Sequence, residues 1–203
     1  MVHVAVISGL ESVYGQVENA SGIPFRYSRE DRKRHQNSHT IYLAYEGPLP
    51  GASAKEVKVD ITIDERIVLP IEDRAVLRGY DEYADLPDGS QIRAYALDEI
   101  GVEKLVALTD RARNEPRDLY DLWYLTSEGH VDLAMLVGEI DSKLEFRGRS
   151  RDAMGEDLAR KEARYEKLWR VRLDAQMTAL PPFDEVFRSV RKALRRARLI
   201  PKR

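Results

Sequence analysis

The 203-residue sequence contains no cysteine. That absence excludes disulfide bonds and zinc sites with thiolate ligands, and it is typical of a protein that works in a reducing compartment. No apolar run approaches the roughly 20 residues that a membrane-spanning helix needs. The first ten residues, MVHVAVISGL, have neither the basic start nor the long apolar core of a signal peptide. We therefore expect a cytoplasmic protein that does not contact a membrane.

Acidic residues are missing from the C-terminal end. The whole chain is 33% charged with a net charge of -2, so no global positive field attracts nucleic acid. No acidic residue follows Glu185, whereas eight lysines and arginines do. Four of these recur at helical spacing and form a possible cationic stripe, namely Arg188, Arg191, Arg195 and Arg198. Such a stripe suits the phosphates of an RNA such as tRNA, although a solvated terminal helix gives the same pattern.

The first third of the chain has helical and then strand-like spacing. Residues 1–20 are ambiguous, since Val2, Val4 and Val6 alternate as in a strand. Apolar residues at helical spacing favour a helix over about residues 4–18, which residues 19–22 end. Residues 23–37 are polar, and we expect a loop there. His35 and His39 are spaced like two metal ligands on a helix, but the intervening Asn37 and Ser38 disfavour a helix and favour a loop.

Strand-like alternation follows in three places. Residues 39–45 alternate, and so does VKVDITIDE at 57–65, where Lys58 and Asp60 share the polar side. Residues 91–95 predict a last strand, and residues 66–90 read as loop with short strand pieces. We expect an α+β fold with a small mixed or antiparallel sheet, in which Asp60 either faces solvent or faces a cleft.

The stretch LDEIGVEKLVALTDRARNEPRDLYDLWYL, residues 97–125, predicts two short helices joined by a polar break. Asp98 is a plausible N-cap of the first helix, and Pro116 suits the first turn of the second. Lys104 and Arg111 fall on one face of the first helix, at helical spacing. Asp118 and Asp121 fall on one face of the second helix, together with Leu122 and Leu125. On these residues alone, the charges are either a site or an ordinary surface ion pair.

The remainder of the chain predicts a helical region. Apolar spacing indicates helices over residues 131–144 and 155–180, and Pro181-Pro182 opens a terminal helix. We expect two parts, an α/β part at residues 1–113 and a helical part at residues 114–203.

These stretches together resemble the AbiEii-type nucleotidyltransferase toxins. VKVDITIDE is similar to the family's strand that carries an active-site carboxylate, DEIGVEKLVALTDR resembles its lysine helix, and RDLYDLWYL resembles its arginine–aspartate helix. The segment LWRVRLDAQMTALPPFDEVFRSV is similar to its C-terminal helices, notably at Trp169, Leu180, Pro181 and Phe183. The likeness covers residues 40–195.

The resemblance implies a toxin that transfers a nucleotide from a nucleoside triphosphate (NTP) to an acceptor such as tRNA, with Mg²⁺. It assigns Asp60 to the metal. It assigns catalysis to Lys104, Asp118 and Asp121, and phosphate binding to Lys58, Lys104, Arg111 and Arg117. A cognate antitoxin is the implied partner.

One family motif is absent from these 203 residues. No Gly-Ser turn followed by Asp-x-Asp lies upstream of VKVDI, and no aspartate precedes Asp31. We expect that the chain begins just after this motif, and that it is inactive alone or depends on an N-terminal fragment or another partner. Loss of the first strands would also leave an open sheet edge, which favours a homodimer.

Two alternatives remain. A degenerate member of the family would bind RNA or a protein through its basic C-terminal helix without catalysing transfer. An unrelated structural α+β domain would leave Asp60, Lys104, Arg111 and Asp118 scattered.

Overall fold

A computed structural model describes residues 2–31, 38–46, 55–62, 65–77, 79 and 88–202. Within these residues the chain forms two compact units. The first comprises residues 1–65 and 78–87, and the second comprises residues 66–77 and 88–203. The predicted boundary between residues 113 and 114 falls inside the second unit, and the division into 1–113 and 114–203 stays a prediction.

The first unit contains one helix and one sheet. Helix α1 spans Val2–Ser21 and ends at Gly22, whose φ of 69° is the left-handed conformation that glycine adopts without strain. Strands β1 (Phe25–Asp31), β2 (Ser38–Tyr45) and β3 (Lys55–Thr62) form an antiparallel sheet in the order β1-β2-β3. The predicted helix and the strand at 39–45 are confirmed. The strand predicted at 57–65 is confirmed as far as Thr62, where β3 ends; residues 63–64 lie outside the described residues, and residue 65 is not part of a strand.

The predicted loop over residues 23–37 is wrong for β1. Nearly all of its residues are polar, and only two of the seven are half-buried, so an inside–outside alternation was not visible in the sequence. His39 lies in β2, where Nδ1 is 3.4 Å from Oε1 of Glu30. His35 lies outside the described residues.

The second unit begins with a two-stranded antiparallel sheet of β4 (Ile71–Ala75) and β5 (Gln91–Tyr95). Five α-helices follow, namely α2 (Leu97–Thr109), α3 (Pro116–Ser127), α4 (Val137–Phe146), α5 (Met154–Leu173) and α6 (Phe183–Arg196). Short 3₁₀ turns occupy Leu133–Met135, Arg151–Ala153 and Asp174–Gln176. The α+β class and the helical C-terminal region are therefore confirmed, with two antiparallel sheets and no parallel pairing among the described strands.

Several helix ends differ from the sequence-based expectation. Asp98 is not the N-cap of α2, because the helix starts at Leu97 after Ala96 and no side chain caps it. The helix predicted at residues 131–144 begins as a 3₁₀ turn and becomes α-helical only at Val137, and α5 ends at Leu173. Pro116 does occupy the first turn of α3, as predicted.

The apolar core of the described residues lies mainly between the helices of the second unit. Residues of three helices are almost wholly buried in it, namely Leu105 and Leu108 of α2, Leu119 and Leu122 of α3, and Ile140 of α4. The C-terminal helices close the core through an aromatic cluster. In that cluster Nε1 of Trp169 donates to the Pro181 carbonyl at 2.9 Å, and its ring lies 5.6 Å from the ring of Phe183.

A fully buried ion pair ties α2 to its neighbours. Lys143 of α4 contacts Glu99 of α2, and both side chains are 0% exposed. The second oxygen of Glu99 accepts the backbone N–H groups of Val68 and Leu69 at 3.1 and 2.9 Å. Glu99 therefore holds the segment before β4 against α2. None of the described helices combines the length and the apolar character that crossing a membrane requires.

Candidate functional site

The site is built on α2, α3 and the six residues that join them. The Asp110 side chain accepts the N–H of Ala112 at 2.9 Å, and its carbonyl accepts the N–H of Arg113 at 3.2 Å. These bonds form a tight turn of the kind that aspartate favours. Because Pro116 then starts α3, Arg113 and Asp118 come to lie beside α2.

Asp118 is the centre of an ion-pair network. Its Oδ1 lies 3.2 Å from Nζ of Lys104, and Nε and Nη2 of Arg113 donate to its two oxygens at 2.5 and 3.1 Å. Nζ of Lys104 also lies 2.5 Å from Oδ2 of Asp121. The Asp118 side chain is 1% exposed, so this is not the ordinary surface ion pair that the sequence allowed.

The four side chains of the network, those of Arg113, Asp121, Lys104 and Asp118, differ in their exposed fraction, and Asp118 is the most buried. Arg113 is 46% exposed, Asp121 31% and Lys104 21%. The hydrogen bonds to the Asp118 carboxylate raise the pKa of the Arg113 guanidinium above its ordinary value, although partial burial opposes the shift. Lys104 and Arg113 are therefore partly exposed to solvent, whereas the carboxylate of Asp118 that both contact is buried.

The network lines one side of a cavity of about 340 Å³. Four cations line it, namely Lys104, Arg113, Arg147 and Arg149. Three carboxylates line it as well, those of Glu103, Asp110 and Asp118. Nη2 of Arg149 lies 2.9 Å from Oδ2 of Asp110. Burial works to raise the pKa of Asp110, but the Arg149 hydrogen bond and the backbone N–H groups outweigh it and lower that pKa.

Lys161 of α5 holds the turn between α2 and α3 in place by hydrogen bonds to its backbone. Its Nζ donates to the carbonyls of Ala107 and Arg113 at 3.3 and 2.8 Å, and to the Tyr165 hydroxyl at 3.3 Å. The residue is 4% exposed, and this burial lowers the pKa of Lys161 to about 8. The same environment raises the pKa of Tyr165, chiefly by burial. Lys161 thus fixes the backbone that carries Arg113.

The structure brings together Lys104, Asp118 and Asp121, but it places Arg111 and Arg117 elsewhere. Helix α2 ends at Thr109, so Arg111 does not continue the helical face of Lys104, as the spacing had predicted. Nε of Arg111 donates to Asp157 at 2.9 Å, and its side chain is 68% exposed. Arg117 is exposed in the first turn of α3.

Asp60 and Lys58 lie on β3 of the first unit. Nζ of Lys58 is 2.9 Å from one oxygen of Asp60, and the Thr40 hydroxyl donates to the other at 2.5 Å. These two contacts, that of Thr40 first, lower the pKa of Asp60. No group of three or more His, Cys, Asp or Glu side chains suited to a metal occurs among the described residues. Asp60 offers one carboxylate, which by itself does not hold magnesium.

The four arginines predicted as a stripe do not form one on α6. The helix ends at Arg196, and Arg198 lies beyond it with a φ of 58°. Arg188 is exposed, and its Nε donates to the Asp184 carbonyl at 3.0 Å. Arg191 lies over the Phe187 ring, whereas Arg195 is half-buried. Predicting one continuous cationic face was therefore wrong for Arg198.

Sequence reasoning missed Arg113, Arg149 and Lys161. Arg113 lies in the polar break between two predicted helices, where no periodicity assigns a direction to a side chain. Arg149 and Lys161 are distant in sequence from α2, and only the packing of α4 and α5 brings them near it. The run RGRSR at residues 147–151 was the one local signal of a basic loop.

An α+β fold in which a buried carboxylate positions cations at a cavity suits a protein that binds phosphate groups. The comparison with family models is more specific: the model described as "Nucleotidyl transferase AbiEii toxin, Type IV TA system" matches residues 6–194. The chain therefore belongs to the AbiEii family of nucleotidyl transferase toxins of toxin–antitoxin systems, and the family implies a cognate antitoxin. No curated protein and no solved structure matches the chain.

Proposed function

We propose that this chain carries the phosphate-binding part of a nucleotidyltransferase that transfers a nucleotide from an NTP to an acceptor such as tRNA. One observation carries the proposal. Lys104 lies between Asp118 and Asp121 on the wall of a cavity that three further cations line. The lysine and the aspartates belong to the segments that resemble the family's motifs.

The chemistry of transfer requires such a site. An acceptor hydroxyl oxygen bonds to the α-phosphorus, the bond from that phosphorus to the bridging oxygen breaks, and pyrophosphate leaves. Lys104 and Arg113 would neutralise the negative charge on the phosphates, because a fixed cation stabilises charge without reorganisation. Asp118 would hold both cations in position. Asp121, which is more exposed than Asp118, would accept the proton of the attacking hydroxyl.

Magnesium belongs to this proposal as the ion that accompanies the triphosphate. The resemblance assigns Asp60 to this ion, and magnesium in proteins commonly takes one or two carboxylates together with phosphate and water oxygens. The 203 residues contain no Gly-Ser turn with Asp-x-Asp upstream of β3. We therefore propose that transfer by these residues needs carboxylates from another segment or chain. The resemblance also assigns phosphate contacts to Arg111, Arg117 and Lys58. Arg111 is left out of the present proposal, because it contacts Asp157 and does not line the cavity.

The test separates binding from transfer. Purified chain is titrated with a fluorescent ATP analogue, and Lys104→Ala is compared with Lys167→Ala, since Lys167 is an exposed lysine of α5 outside the cavity. We expect Lys104→Ala to weaken nucleotide binding about tenfold, because it removes a charge-assisted contact. Lys167→Ala should leave the affinity within about twofold.

Transfer is then assayed with labelled NTPs, magnesium and total tRNA. The assay is run with the chain alone and with an added polypeptide that carries a Gly-Ser turn followed by Asp-x-Asp. Lys104-dependent labelling of tRNA in either arm supports the proposal. Equal nucleotide affinity in both variants, together with no labelling in either arm, would rule it out.

A further inference from the structure

A second basic cavity lies away from the Lys104 cavity in the same compact unit. It has a volume of about 670 Å³. Arg151 and Asp152 of the 3₁₀ turn before α5 form one wall. Arg195 near the end of α6, Arg198 just beyond it and Lys202 also line the cavity. None of these residues lines the Lys104 cavity.

The backbone of Arg198 is in a conformation that arginine disfavours. Its φ of 58° is left-handed, and Arg198 is the one non-glycine residue with positive φ in the described part of the chain. The N–H of Leu199 bonds back to the Leu194 carbonyl at 2.9 Å, which is the pattern of a Schellman helix end. Glycine usually occupies that position, because it has no side chain to clash. An arginine there suggests that its side chain is needed at this place.

The two residues that follow Arg198 are anchored by packing. Leu199 and Ile200 are 2% and 8% exposed, and Ile200 packs near Gly155 at the start of α5. This packing closes the cavity between the end of α6 and the start of α5. The backbone that carries Arg195 and Arg198 is therefore fixed on both sides of Arg198.

Arg195 provides an independent indication of a ligand. Its Nε atom is buried and has no hydrogen-bond partner among the described residues. A buried donor without an acceptor is unfavourable, so a rotation of the Arg195 side chain that brings Nε to an oxygen atom of a bound anion would be favoured.

The charge of the cavity defines the class of ligand. Four cations face one carboxylate, and the Asp152 oxygen Oδ2 accepts the Ser150 hydroxyl at 3.3 Å. Arginine forks match the oxygens of a phosphate group better than those of a neutral ligand. One cation of this cavity also has a carboxylate nearby, since Nε of Arg151 lies 3.5 Å from Oδ1 of Asp141. In the Lys104 cavity, carboxylates pair with three of the four cations.

We propose that Arg151, Arg195, Arg198 and Lys202 form a second phosphate site, which binds a backbone phosphate of an RNA strand. The choice of RNA rests on the proposed function, since the phosphates of the acceptor have to be held while its hydroxyl reaches the nucleotide. The site differs from the predicted arginine stripe, because it excludes Arg188 and includes Arg151 and Lys202.

The test is RNA binding without NTP or magnesium, so that it does not depend on transfer. Fluorescence anisotropy with labelled tRNA is measured at several salt concentrations for the full chain, Arg195→Gln, Arg198→Gly and Arg188→Gln. Arg188→Gln removes an equal charge from an exposed position outside the cavity. We expect each cavity variant to weaken binding about tenfold and to reduce the salt slope by about one. Arg188→Gln should change the affinity by less than about twofold.

Arg198→Gly also keeps the test independent of folding. Glycine adopts the left-handed conformation without strain. The melting temperature of the Arg198→Gly variant should therefore equal or exceed that of the parent chain. Equal losses for Arg188→Gln and Arg198→Gly would mean a diffuse basic end and would overturn the proposal. A calorimetric titration with inorganic phosphate distinguishes the source of the anion. Phosphate binding that Arg198→Gly abolishes, with unchanged RNA affinity, would overturn RNA as the ligand.

Discussion

Nζ of Lys104 lies 3.2 Å from Oδ1 of Asp118, although 14 positions separate the two residues in the chain. The same carboxylate accepts two hydrogen bonds from Arg113. Asp118 is 1% exposed and, as a carboxylate, can only accept hydrogen bonds. It therefore acts as a positioning residue that holds a lysine from α2 and an arginine from the α2–α3 turn at one cavity.

Burial predicts that the two aspartates of α3 differ in their contribution to stability. Asp118→Asn replaces charge-assisted hydrogen bonds to Lys104 and Arg113 by bonds to a neutral amide, and the loss should be about 2 kcal/mol because Asp118 itself is buried. Asp121→Asn removes one contact of a side chain that is 31% exposed, so it should cost less than about 1 kcal/mol. Urea denaturation of both isosteric variants measures the free energy of unfolding. Equal losses would show that Asp118 is not the centre of the network.

The two arginines that follow α2 predict different effects on nucleotide binding. Arg113 lines the cavity, whereas Arg111 contacts Asp157 and is 68% exposed. We expect Arg113→Gln to weaken ATP binding about tenfold and Arg111→Gln to weaken it less than about twofold. Titration with a fluorescent ATP analogue measures both, and melting temperatures check that each variant is folded. A larger loss for Arg111→Gln would favour the role that the family resemblance assigns to it.

Much of the fold was predictable because its helices and most of its strands carry clear periodicity. The apolar spacing of residues 4–18, and the alternation at 39–45 and 57–65, are local signals, and α1, β2 and β3 follow them. Strand β1 was missed because nearly all of its residues are polar. Such a strand forms because β2 pairs with it, and that pairing is not visible in the strand's own sequence.

The candidate site was predictable only in part. Lys104, Asp118 and Asp121 lie on helices, where spacing assigns a face, and the structure brings them together. Arg111 was expected on the same face as Lys104. However, α2 ends at Thr109, and the backbone leaves the helix before Arg111. Helix ends depend on tertiary contacts as much as on propensity, which is why the turn carrying Arg113 was not foreseen.

The lowered pKa of Lys161 predicts a pH dependence of stability. The unfolded chain holds the lysine proton up to about pH 10.4, whereas the folded chain releases it near pH 8. The unfolded state therefore binds more protons in this window, and stability should rise from about pH 8 to pH 10. The maximum slope is about 1.4 kcal/mol per pH unit. Urea denaturation at four pH values measures it.

Lys161→Met is expected to remove most of that slope, because methionine cannot titrate. Lys167→Met, at an exposed position of the same helix, should retain it. The window stops near pH 10, since the raised pKa of Tyr165 means that the folded state keeps the phenol proton at higher pH and loses stability there. A slope that persists in Lys161→Met would mean that another group titrates.

Close packing at Gly101 predicts that a side chain at this position of α2 lowers the stability of the chain, because α2 meets the segment after α3 there. A Cβ on Gly101 would lie 2.9 Å from Cγ1 of Val131, which is 4% exposed. Gly138 of α4 has no atom within 4 Å of the same position. Alanine favours a helix over glycine by about 1 kcal/mol in a helix interior, and by less in the first turn where Gly138 lies. Gly138→Ala should therefore be neutral or slightly stabilising.

Gly101→Ala should instead destabilise the chain by about 1–2 kcal/mol, because overpacking a buried contact outweighs the gain in helix propensity. The two variants add the same methyl group, so the difference between their free energies of unfolding reports the contact with Val131. A further variant, Gly101→Ala with Val131→Ala, should lose less stability than the sum of the two single changes, since the smaller residue makes room for the methyl group. Strict additivity would show that Val131 is not what excludes a side chain at Gly101.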